Sequence, residues 1–141
     1  MKNFADLDIN NKVIGVKSVG DNYINPGNSI EIQNYDIKLM GTNYQNGIFQ
    51  GYYITLRADK STIIADGADK TVITARIYNY DDTSATDFAT GIIFDVNGTQ
   101  QIIVPTNGEA AIEFKSSVAG SYIIKTANDV MSNSEVTIIA S

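Results

Sequence analysis

The chain contains no cysteine, no histidine and no tryptophan, and only two prolines among its 141 residues. Without cysteine there is no disulfide framework, no thiolate metal site and no thiol nucleophile, so stability has to come from packing. Without histidine the commonest general base and the commonest transition-metal ligand are both missing, which deprives most hydrolytic mechanisms of their usual base. Long apolar runs are absent too. None approaches the ~18 residues of a membrane span, and the start Met1-Lys2-Asn3-Phe4-Ala5-Asp6-Leu7-Asp8 lacks the apolar core of a signal peptide. No membrane insertion and no export by the general secretion route are expected. Positive charge is scarce: ten Lys and Arg stand against sixteen Asp and Glu, a net charge of -6. Nucleic acid is thereby disfavoured as a partner, because phosphate binding needs clustered cations.

What is present is β grammar. The stretch Ala65 to Tyr78 opens on Asp66-Gly67, a turn dipeptide, and continues as an alternating β-branched strand. Thr71, Ile73, Ala75 and Ile77 fall on one face and Val72, Thr74, Arg76 and Tyr78 on the other. Upstream, Met1 to about Asn11 has weak periodicity and reads as a loosely ordered lead. Lys12–Val19 and Ser29–Gln33 read as strands around the Pro26-Gly27 turn, and Asn34 to Met40 as a short helical turn with Asn34 as N-cap and Gly41 as its stop. Asn46-Gly47 signals a type I′ hairpin. This front part, residues 1–51, is expected to form a small β-rich segment with a thin core, a candidate docking unit.

From Tyr52 the spacing becomes regular. Tyr53–Ala58 and Ser61–Ala65 are two short strands, Gly91–Val96 and Gln101–Val104 flank an Asn97-Gly98 turn, and Asn107-Gly108 turns the chain again. Ala110, Ile112 and Phe114 alternate inward, as do Tyr122, Ile124 and Thr126, and finally Val136, Ile138 and Ala140. About seven short strands in residues 52–141 predict an all-β chain whose larger part is an immunoglobulin-like β-sandwich.

The same residues carry a family resemblance. Asp59-Lys60-Ser61, Ala65-Asp66-Gly67 with Thr71 to Ile77, Ile92-Ile93-Phe94, Gly108 to Phe114, and Ala119-Gly120-Ser121-Tyr122-Ile123-Ile124 resemble the bacterial immunoglobulin-like domains of invasin and intimin type surface proteins. In that family these are positions that turn the chain and fill the core, so the resemblance implies a fold and no binding site. The connection Asp81 to Thr90 departs from it, lacking the usual Gly-Pro turn. The front segment from Ile30 to Phe49, with Asp36, Leu39-Met40-Gly41, Tyr44 and Asn46-Gly47-Ile48-Phe49, looks similar to short tail-associated proteins of phages and prophages. That likeness implies a virion protein reaching the outside by assembly in the cytoplasm and lysis.

Few residues invite chemistry. Asp81, Asp82 and Asp87, with Thr83, offer oxygen ligands for Ca²⁺, but the spacing is not that of an EF-hand loop, and Asp is ordinary loop chemistry. Asp66 with Asp69, and Glu109 with Glu113, are carboxylate pairs that turn and strand-face roles explain as well as acid–base work does. The Asn97-Gly98-Thr99 sequon is accounted for by its hairpin turn. Of eight tyrosines, Tyr122 reads as a core tyrosine opening a sandwich strand, whereas Tyr52, Tyr78 and Tyr80 look freer and are the candidate ligand contacts, rings able to stack on sugar. The expected role is a non-enzymatic structural or adhesion module without cofactor or metal, meeting other virion or surface proteins. The alternative is a carbohydrate- or cell-wall-binding accessory module.

Overall fold

A computed structural model describes residues 1–129 and 131–141. Among the described residues the regular elements are strands apart from one 3₁₀ turn, and no helix is long and apolar enough to cross a membrane. The chain divides into two compact units: residues 1–53 with 129–132, and residues 54–128 with 133–141.

In the first unit, β1 (Lys2–Leu7) is the centre of an antiparallel sheet with β2 (Val13–Val19) on one side and β3 (Ser29–Ile32) on the other. The loosely ordered lead expected there is therefore corrected to a central strand. Its polar residues, which read as loop chemistry, are claimed by the flanking strands: Ser18 donates to Asn3, and Asp6 pairs with Lys17 at 2.8 Å and accepts from Ser29. Phe4, Ala5 and Leu7 are buried with Val13 and Leu39, so both faces are covered and the two-residue period is blurred. The helical turn shrinks to a 3₁₀ turn, Ile37–Leu39, and its cap is Asp36, not Asn34: Asp36 has an extended backbone and accepts the Lys38 N–H at 3.0 Å. The Asn46-Gly47 hairpin joins β4 (Asn43–Gln45) to β5 (Ile48–Gln50), with φ of 53° and 80° at the turn, as type I′ geometry requires. Gly41 has φ of 80°, and a Cβ there would sit 2.5 Å from the Met131 carbonyl oxygen, so no other residue fits without rearrangement.

β6 (Tyr52–Ala58) counts with the first unit at Tyr52 and Tyr53, where it pairs in parallel with β13 (Met131–Ser132), and with the second from Ile54 onward. In the second unit one sheet has the order β11-β8-β6, with β8 at Lys70–Asn79 and β11 at Glu109–Lys115. The other has the order β10-β9-β12-β14-β7, made of β10 (Thr99–Ile103), β9 (Ile92–Val96), β12 (Gly120–Thr126), β14 (Glu135–Ala140) and β7 (Thr62–Ile63). The faces are those the alternation predicts: Ile73, Ala75, Ile77, Phe94, Ile112, Ile124 and Ile138 are buried, with Thr71 and Thr126 among them. Gly67 sits in its turn with φ of 76°, which a β-branched residue would not tolerate.

Two polar devices close this unit. The Tyr122 hydroxyl donates to the Val118 carbonyl at 2.9 Å and lies 2.8 Å from the Ser116 hydroxyl, while its ring tilts on Phe114 at 4.9 Å, the latch expected of a sandwich tyrosine. Buried Asn128 accepts the Ile93 N–H at 2.8 Å and donates to the Gly91 carbonyl at 2.9 Å, so its amide extends the ladder of β9 in place of a backbone. The Asp81 to Thr90 connection folds back on β8: Tyr78 bridges Ser84, Ala85 N–H donates to Ile77, and Ala85 is buried.

Candidate functional site

The outward face of the β11-β8-β6 sheet forms a groove of about 610 Å³ lined by Thr55, Arg57, Asp59, Val72, Thr74, Arg76, Tyr78 and Glu109. Alternation places them there, since the inward positions of β8 are occupied by Thr71, Ile73, Ala75 and Ile77. Arg76 meets Glu109, its register partner on β11, with Nε 2.8 Å from Oε1. Both side chains are exposed, so the pair contributes at most about 1 kcal/mol and chiefly orients the guanidinium. Arg57 makes no ion pair among the described residues. Asp59 accepts from the Thr71 hydroxyl at 2.6 Å and the Val72 N–H at 2.8 Å, and these bonds, Thr71 first, hold its carboxyl below the usual range.

The other carboxylates are similarly engaged. Asp66 accepts the Asp69 and Ala68 N–H groups at 2.7 and 2.8 Å, which lower its pKa and pin the turn at Gly67. Asp69 is lowered by the Lys60 ammonium and by the Ile64 N–H at 2.8 Å. Glu113 pairs with Lys70 at 2.6 Å. Asp81 accepts from the Thr83 hydroxyl and N–H at 2.6 and 3.0 Å, which lowers it. Among the described residues no group of three or more His, Cys, Asp or Glu is arranged to hold a metal ion. A general acid needs a raised pKa, and every shifted carboxylate here moves the other way. Arg57, Arg76, Thr55, Thr74 and Tyr78 line the groove together.

The three tyrosines are distributed over both units. Tyr52 falls in the first unit, Tyr78 lines the groove of the second, and Tyr80 lies in the turn after β8. All three are half-buried and none is without a partner. Sequence reasoning placed Thr74, Arg76 and Tyr78 on one outward face but did not single out Arg57. Its signal was the same two-residue parity on β6, unreadable as a site until β6 and β8 were known to be neighbours.

No family model matches the chain, and no curated protein matches it by sequence. Among solved structures, a glycosyl hydrolase family 2 member from Bacteroides cellulosilyticus superposes with a TM-score of 0.54 at 16% identity, over 98% of this chain and 21% of that one. The C-terminal 282-residue fragment of intimin, in complex with the intimin-binding domain of the translocated intimin receptor, gives 0.45 at 21% identity, over 62% of this chain and 32% of that one. The CARDB domain of a Pyrococcus furiosus protein, in complex with di-metal ions, gives 0.45 at 11%, over 77% of this chain and all of that one, 100%. The chain thus spans about a fifth of the hydrolase and a third of the intimin fragment. Strand order, the Tyr122 latch and the hydrolase likeness make residues 54–128 with 133–141 an immunoglobulin-like β-sandwich.

Proposed function

We propose that the chain is a non-enzymatic structural or adhesion module whose sandwich is displayed for weak contact with a host surface, the residues 1–51 segment serving to dock it to a phage or prophage particle. The observation that carries the non-enzymatic reading is the engagement of the carboxylates: Asp59, Asp66, Asp69 and Asp81 are lowered by hydrogen bonds within turns and between strands, and Glu109 and Glu113 each pair with a cation on β8. The virion assignment, and with it a location outside the cell, rests on the resemblance of Ile30 to Phe49. Immunogold labelling of particles and cells with antibody against the chain tests it. Label on tails or on the cell surface is expected, and particles and cells without label would remove the assignment.

A second reading, a carbohydrate- or cell-wall-binding accessory module, is favoured by the groove, where Tyr78 lies with Arg57, Arg76 and two threonine hydroxyls. Sedimentation with purified cell wall separates the readings. Strong binding lost on Tyr78→Ala, and retained in Tyr52→Ala and Tyr80→Ala, would move the function to the groove.

A further inference from the structure

A sheet edge exposes a row of unpaired backbone groups, and folded proteins usually blunt it with charge, brevity or cover. Three edges of the sandwich are blunted. β11 carries Glu109, Glu113 and Lys115, β7 is only Thr62–Ile63, and β6, bordered by β13 at Tyr52 and Tyr53, presents Arg57 further on while its Leu56 N–H is taken by the Ser134 hydroxyl at 3.3 Å. β10 differs. It pairs with β9 alone, residues 97–108 contain no charged side chain, and Gln100, Gln101 and Ile102 are exposed. Nor is β10 frayed: Ile102 lies against Gly91, where a Cβ would collide with its Cγ2.

The hairpin fixes which groups face outward. Val96 and Thr99 close a two-residue Asn97-Gly98 turn and so form a hydrogen-bonded pair, as do Phe94 with Gln101 and Ile92 with Ile103 two and four residues on. Gln100 and Ile102 therefore direct their N–H and C=O away from β9, into solvent. An antiparallel strand centred on Gln101 would satisfy both. We propose that β10 is a homotypic docking edge at which two copies of this chain pair antiparallel about a twofold axis through Gln101. Gln100 then faces Ile102 of the second copy in the hydrogen-bonded register, and Gln101 faces its own counterpart.

The uncharged edge suits a second copy better than a charged foreign strand. A chain of net charge -6 attracts basic peptides, yet this edge offers them no acid, whereas two copies meet here without setting like charges opposite each other. Ile102 and Val104, 65% and 66% exposed, add apolar area beside the seam.

The chain has no native thiol, so Gln101→Cys gives a single reporter. In a non-hydrogen-bonded antiparallel pair the Cα atoms lie about 4.5 Å apart, within reach of a disulfide. Mild oxidation of the full chain should cross-link this variant at least about tenfold faster than Thr137→Cys, an exposed position on β14, because a preformed pair reacts at a raised effective concentration. Sedimentation velocity on the unmodified chain should show a dimer that strengthens with salt, as screening relieves repulsion between acidic copies. Gln100→Pro, whose lost N–H points away from β9, should abolish it with the melting temperature unchanged, and Ile102→Lys, which also gives up the contact with Gly91, should abolish it at some cost in melting temperature. A chain monomeric at every concentration and salt, or Gln101→Cys reacting no faster than the control, overturns the proposal. So does a dimer indifferent to both edge variants.

Discussion

The second unit buries aliphatic side chains from long alternating strands: Ile73, Ala75 and Ile77 on β8 face Phe94, Ile124 and Ile138 across the sandwich. The first buries Phe4, Leu7, Val13, Leu39 and Met131, drawn from short and scattered pieces, and adds a polar cluster of Asp6, Lys17, Ser29 and Tyr23. There Lys17 lies 2.6 Å from the Tyr23 hydroxyl and 4.7 Å from its ring centroid, and the ring tilts on Phe4 at 5.2 Å. One unit is held by a repeated pattern, the other by particular pairs. A pattern survives the loss of any one polar contact but is sensitive to core volume, and pairs behave the opposite way.

Five substitutions or conditions sharpen that contrast. Phe94→Ala, at the fully buried centre of the sandwich, should cost about 3–5 kcal/mol in denaturant titration, and a loss below 1 would mean that the inner faces are less closely packed than their burial indicates. Gly41→Val should destabilise the first unit by roughly 1–3 kcal/mol through its left-handed φ alone, more if the Met131 backbone cannot yield; hydrogen exchange resolved by residue should show β1 and β2 losing protection. Tyr122→Phe removes one hydroxyl and leaves the ring on Phe114, so about 1 kcal/mol is expected, and a larger loss would show the latch matters beyond its hydrogen bond.

Acid should act on both units with a smaller effect per group. Asp6 is pushed up by partial burial, but its bonds to Lys17 and Ser29 prevail and its pKa is lowered, as are those of Asp59, Asp66, Asp69 and Asp81. With folded pKa values below unfolded ones, the unfolded chain takes up protons first on acidification. The stabilisation is present above the unfolded value of about 4 and is lost as pH falls through the folded values. Melting temperature should therefore hold from neutral pH to about pH 5 and fall below it. Asp6→Asn should flatten the decline in the first unit while leaving the second unchanged.

Most of the sandwich was legible because its strands obey a single parity: Ala110, Ile112 and Phe114 alternate inward, and each Asn-Gly turn has the positive φ values its residues favour. β1 was not, since Asn3 and Asp6 gain strand character only once Ser18, Lys17 and Ser29 flank them. Nor was the pairing of Met131 and Ser132 with Tyr52 and Tyr53, a parallel contact between distant residues that no local signal announces. The groove lay between these cases. Its β8 residues followed from parity, but Arg57 and Glu109 joined them only through strand order, which hydrophobic pattern does not determine.

The pairing of β7 with β14 bears on how the sandwich answers force. These strands run parallel, tied by Ile139 N–H to Ser61 at 2.9 Å, Ser141 N–H to Ile63 at 3.1 Å and Ala65 N–H to Ser141 at 2.9 Å. Tension entering ahead of β7 and leaving beyond β14 pulls the two strands in opposite directions along their length. The three bonds are then sheared at once instead of peeled one after another. Rupture under load is set by the unfolding barrier rather than by equilibrium stability, so a fold of ordinary thermal stability can still act as a stiff mechanical link.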